Sequence, residues 1–291
     1  MNNHIPTLLL REWMQHKRGW LIAAFAPPLL FLALLPFGQI HGMPTEKVPL
    51  GLISLGMVLI STGVVYAICL LVALFQLPGL ARRDTQDRSI EFWLSLPGRP
   101  SESVAATVLA HGWLAPLGGA LVGAAFGIPI AMSVLAAKGG MALPLSVDWA
   151  EVVAAALPLL VRGLVGTVPL LLWLAPLIFV LMASSAWLKR LGVPLVLVGT
   201  GVTVGVLHKV YAIDWPLKAL EALDDRIGQT LLHSPDSLKN ALMTDGHSLW
   251  AWAAQDLGST LAELVSLQFV GWMAIAAAAF ALVVMKRSRG G

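Results

Sequence analysis

The run Val48–Ala81, VPLGLISLGMVLISTGVVYAICLLVALFQLPGLA, holds 34 residues without one Asp, Glu, Lys or Arg. A helix needs about 20 apolar residues to cross the roughly 30 Å hydrocarbon layer of a bilayer, and this run exceeds that length. Five more stretches read the same way: Gly19–Phe37, Ser103–Ala137, a span beginning at or just after Arg162 and ending near Trp187, Leu191–His208 and Leu264–Met285. Prolines 27, 28, 116, 129, 169, 176 and 194 fall inside them, which membrane helices tolerate because neighbouring groups re-satisfy the freed carbonyls. The predicted fold class is all-α, a polytopic membrane protein with six transmembrane helices.

Composition agrees. Of 291 residues, 57% are hydrophobic and 12% charged, and mean hydropathy is +0.79. Soluble domains carry about 25% charged residues; half of that cannot coat a water-facing surface of this size. A soluble enzyme, a nucleic-acid-binding protein and a disordered chain are all disfavoured. The single cysteine, Cys69, excludes a disulfide framework within the chain.

The charges are sorted by side. With both termini in the cytoplasm, the inner segments hold 12 basic and 5 acidic residues and the outer ones 6 and 11, with Arg162 left inside a span. Basic inner loops are the rule for membrane proteins. A secretory leader is the rival reading of the first apolar stretch, but no small-x-small cleavage pattern follows Phe37. The expected organisation is an amphipathic surface helix over 1–18 and a six-helix domain over 19–285. A cytoplasmic loop at about 82–102, an outer segment at about 209–259 and a basic tail at 286–291 complete it. In the surface helix Ile5, Leu8, Leu9 and Trp13 share an apolar face, while Arg11, Glu12, Gln15 and Lys17 are polar. In the outer segment, Trp215–Leu232 reads as a helix and Ser234-Pro235-Asp236 as a helix start. That segment is either a lid or a solvated cap.

Motifs for chemistry on this chain are few. A phosphate-binding loop needs Gly-Lys after its glycines, and the pair occurs nowhere here. There is no His-Glu-x-x-His, no Gly-x-Ser-x-Gly, and no two histidines stand four apart. No acidic proton-relay cluster lies within a span. The loop ARRDTQDRSIEFWLSLPG, residues 81–98, is the most informative segment. Asp84 or Thr85 can cap a short helix and Pro97 ends it. Ile90, Phe92, Trp93, Leu94 and Leu96 then crowd a charged cytoplasmic loop with apolar side chains. They sit either in the headgroup layer or in a groove of a partner protein.

Asp87-Arg88-Ser89-Ile90-x-Phe92-Trp93-x-Ser95-Leu96-Pro97 after a second span resembles the cytoplasmic loop of ABC transporter permeases of the type-2 exporter class. Trp173-Leu174-Ala175-Pro176 through Ser184-Ser185-Ala186-Trp187, closed by Lys189-Arg190, resembles the fourth span of that class. The resemblance implies a bacterial inner-membrane permease that pairs with a second permease subunit, identical or homologous. It also implies two cytoplasmic ATPase subunits that carry ATP and magnesium, so this chain holds no cofactor and is not itself the enzyme. By the same resemblance Thr85, Asp87, Arg88, Ile90, Glu91, Phe92 and Trp93 form a coupling helix seated on the ATPase. The N-terminal helix, with Leu9, Arg11 and Trp13, becomes a connecting helix. The cargo expected from such apolar spans is hydrophobic or amphipathic: a drug, a peptide or a lipid-like molecule. Two other classes stay open, a membrane assembly or sensor protein that holds a partner by the same loop, and an intramembrane enzyme.

Several residues carry two readings. Tyr66, His111 and Arg162 are candidates for a translocation path. Equally, Tyr66 and His111 fit as hydrogen-bonded packing residues, and Arg162, roughly 40 Å of helix before Lys189, fits as an anchor in the outer headgroups. Gly119, Gly123 and Gly127, and again Gly201 and Gly205, form small-residue ridges for packing within the chain or for a dimer seam.

Overall fold

The computed structural model describes residues 4–40, 48–82, 99–243 and 249–288. The described residues form helices and no strand. Nine helices carry the architecture: α1 Ile5–Leu34, α2 Leu50–Leu80, α3 Pro100–Gly139, α4 Trp149–Leu188, α5 Gly192–Tyr211, α6 Trp215–Gln229, α7 Pro235–Met243, α8 Leu249–Ala262 and α9 Leu267–Ser288. Five helical stretches are long and apolar enough to cross a membrane: α1 with its short extension to Phe37, α2, α3, the pair α4–α5, and α9.

The pair α4–α5 spans 63 residues, roughly 95 Å if straight. It is not straight. Lys189 takes φ +56°, in the left-handed region that side chains avoid. Gly192 then lies against the Ser184 carbonyl, eight positions back, so closely that a Cβ there would overlap it. Residues eight apart in one helix are about 12 Å apart, so the chain has reversed and α5 starts back along α4.

The N-terminus differs from its sequence reading. Ile5–Leu34 is one helix of 30 residues, and the surface helix over 1–18 is not a separate element. Nothing in Gln15–Trp20 can stop a helix: one glycine costs only about 1 kcal/mol. The faces differ as well. Glu12, assigned to the polar face, is wholly buried, while Trp13, assigned to the apolar face, is exposed. Helix α4 also starts earlier than the fourth span. Asp148 caps it, accepting hydrogen bonds from the amides of Ala150 and Glu151 at 3.0 and 3.1 Å, which contributes about 1 kcal/mol.

Packing centres on α2 against α3. Gly119, Gly123 and Gly127 let the two backbones touch: a Cβ on Gly123 would stand 2.7 Å from the Ser61 carbonyl oxygen, and one on Gly127 2.7 Å from the Val58 Cα. Ser61 donates to the Gly123 carbonyl at 2.8 Å across the same seam. One core joins α2, α3, α4 and α9 around Leu77, Val104, Ile178, Met182 and Val283. A second joins α2, α3 and α4 to α7 and α8 around Leu55, Leu135, Leu159 and Trp252.

Candidate functional site

Two buried polar clusters stand out from the apolar bundle. The first is at the end of α3 that follows loop 83–98. Glu12 and His16 are one turn apart on α1, and His111 faces them from α3. Residues Leu109–Leu114 form a π-helical turn inside α3. Such a turn inserts an extra residue into the helix and is frequent at functional sites. Glu12 and His111 are 0% exposed. Glu12 Oε1 accepts from Arg11 Nη2 at 2.8 Å and from Thr107 Oγ1 at 3.2 Å. Glu12 Oε2 lies 3.4 Å from His111 Nε2 and 3.8 Å from His16 Nε2. Ser103 Oγ accepts from Arg11 at 3.4 Å and from Arg287 of α9 at 3.1 Å. The His16 and Trp20 rings pack against His111 with centroids 4.6 and 4.9 Å away. Three helices, α1, α3 and α9, are thereby tied together at Ser103, the fourth residue of α3.

A lone buried carboxylate in an apolar bundle would be strongly unfavourable. Arg11 and Thr107 satisfy one oxygen, and the two imidazoles face the other. The sequence signal for this cluster is Glu12-x-x-x-His16, an i, i+4 pair on one helix face. Searching for histidine pairs alone passes over it, and the contribution of His111 comes from a helix 95 residues further on.

The second cluster pins α8 and the end of α6 to α4. Arg162 is 2% exposed. Its Nε and Nη2 both lie 2.8 Å from Asp256 Oδ2, Nη2 also donates to Thr260 Oγ1 at 2.7 Å, and Nη1 donates to the Thr230 carbonyl at 3.0 Å. Asp256 in turn accepts from the amides of His233 and Ser234, both at 3.1 Å. The expected outer-headgroup anchor is thus an internal residue, because α8 folds over it. The helices of residues 215–262 pack inward here as well, with Trp252 buried and its Nε1 donating to Ser237 Oγ at 2.9 Å.

The remaining sequence candidates fall elsewhere. Tyr66 is buried in the core with Leu170 and Leu174, so Tyr66, His111 and Arg162 each have their own set of neighbours. Leu9 is half-buried, Arg11 bonds Glu12, and Trp13 stacks obliquely on Trp20 at 5.8 Å. Gly119, Gly123 and Gly127 pack inside the chain, whereas Gly201 and Gly205 of α5 have nothing within 4 Å. Thr85, Asp87, Arg88, Ile90, Glu91, Phe92 and Trp93 lie outside the described residues.

An apolar cavity of about 340 Å³ opens between α1, α2 and α3. Pro27, Phe31, Met57, Ile60, Val64 and Val134 line it. The hydroxyl at its wall, that of Ser61, is already engaged with Gly123. The cavity has no charged wall, so it suits a hydrocarbon or aromatic group.

Neither models of protein families, nor curated proteins, nor solved structures match this chain.

Proposed function

We propose that this chain is the transmembrane subunit of an ATP-driven exporter, moved by a separate cytoplasmic ATPase. The observation that carries the reading is the tie between helices beside loop 83–98. The loop leads straight into α3 at Pro100, and Ser103 and Thr107 of α3 are bonded to Arg11 and Glu12 of α1 and to Arg287 of α9. A push on Phe92 and Trp93 from below would reach three helices through one rigid knot.

Six spans follow if α4 and α5 each cross, and both termini then face the cytoplasm with the basic loops. The apolar cavity between α1, α2 and α3 supports a hydrophobic or amphipathic cargo. Helix α5 exposes Leu195, Val198, Val202 and Val206 beside the open Gly201 and Gly205, which suits a second permease subunit laid against it.

The test is co-purification. The chain carries an ATPase with it from the membrane, and ATP turnover in that complex falls at least about tenfold, some 1.4 kcal/mol in the barrier, when Phe92 and Trp93 become alanine. An assembled complex whose turnover ignores both substitutions overturns the coupling reading.

A further inference from the structure

We propose that Glu12, His16 and His111 form a binding site for a divalent transition-metal ion of the zinc, cobalt or nickel kind. The ligand atoms of the three residues lie within 4.8 Å of one another. Their spacing is informative. Glu12 Oε2 is 3.4 Å from His111 Nε2 and 3.8 Å from His16 Nε2. N–H···O hydrogen bonds close at about 2.7–3.2 Å, so these contacts are long. Two ligands of one tetrahedral ion with arms of about 2.0–2.1 Å stand about 3.3–3.4 Å apart, which the Glu12–His111 spacing matches and the Glu12–His16 spacing approaches.

The carboxylate is presented for one-point ligation. Arg11 and Thr107 hold Oε1, and Oε2 faces both imidazoles. Outer partners of this kind fix the orientation of metal ligands. His111 is wholly buried; its Nε2 faces Glu12 Oε2, and its Nδ1 has no hydrogen-bond partner among the described residues, so a ligating Nε2 there lacks the outer acceptor that usually orients such a ring. His16 is 25% exposed on its side chain and supplies the route in. Two imidazoles with one carboxylate select zinc and its neighbours over magnesium and calcium, which prefer oxygen-only shells. Three protein ligands leave a fourth position for water or a small anion.

The guanidinium of Arg11 opposes a cation. It is 2.8 Å from Oε1 and draws on the same carboxylate charge. The site therefore binds more weakly than a closed structural zinc centre. The same balance makes occupancy responsive to the ion's concentration. A bound ion would clamp α1 to α3 beside loop 83–98. The inference goes beyond the exporter reading and does not rest on it.

The test uses the full chain, purified in detergent, stripped with chelator and titrated with cobalt(II). One cobalt per chain is expected, with the visible absorption of a four-coordinate ion, displaced by zinc. His16→Ala, at the partly exposed member of the trio, is expected to weaken binding at least about tenfold, and Glu12→Gln and His111→Gln to do the same. His208→Ala, at an exposed histidine paired with Asp214, leaves binding unchanged. Thermal unfolding of each variant separates loss of ligand from loss of fold. Cobalt bound with no four-coordinate spectrum, or bound equally by wild type and by His16→Ala, overturns the site whatever the ATPase results are.

Discussion

Arg162 and Asp256 lie 94 positions apart in the chain and meet at 2.8 Å in a fully buried ion pair that fastens α8 to α4. Both charged groups are engaged: Thr260 and the Thr230 carbonyl accept from the guanidinium, and two backbone amides donate to the carboxylate. Removing one partner leaves an uncompensated buried charge, whereas removing both with apolar replacements leaves none.

Asp256→Ala is therefore expected to destabilise the protein by about 3–5 kcal/mol, read as a lower unfolding temperature in detergent and faster proteolysis within 215–262. The double variant Arg162→Met with Asp256→Leu recovers most of that loss. A single variant as stable as wild type would show that the pair fastens nothing.

The α2–α3 seam has little room. Gly123→Ala and Gly127→Ala place a Cβ 2.7 Å from backbone atoms of α2, and each is expected to cost about 1–3 kcal/mol through forced separation. Gly201→Ala meets open space and is expected to leave the monomer's stability unchanged or raise it by up to about 1 kcal/mol. Denaturation curves that rank the three equally would refute the distinction.

Ile60→Trp and Val64→Trp project a large ring toward the apolar cavity between α1, α2 and α3. Binding of an apolar fluorescent probe is expected to weaken by at least about tenfold, or 1.4 kcal/mol. Unchanged probe affinity in both variants would remove the cavity from consideration as a cargo site.

Sidedness is open to a direct check. In a Cys69→Ala background, Lys239→Cys reacts with a membrane-impermeant maleimide applied to intact cells, and Arg190→Cys reacts only after permeabilisation. Both positions are exposed on the protein. The opposite pattern would invert the charge-based orientation and take the proposed coupling loop away from the ATPase.

Much of the bundle is legible along the chain because a bilayer demands long apolar runs and tolerates little else. Val48–Ala81 announces α2, and Leu264–Met285 announces α9 to within a few residues. The four-residue spacing of Gly119, Gly123 and Gly127 marks a face where backbones approach. Spacing alone does not separate that face from Gly201 and Gly205, which only the packing leaves open. Helix α4 runs a third of its length beyond the span read from hydropathy, because Asp148 caps it and α8 covers it.

By itself, the order of residues determined an all-helical chain with long apolar runs, since hydropathy and period are local properties. Which buried charges meet was decided only by the tertiary structure. Glu12 on α1 finds His111 on α3, and Arg162 on α4 finds Asp256 on α8. A charge within an apolar helix has to find a partner somewhere, and the helix it finds is fixed by packing in three dimensions rather than by anything written beside it.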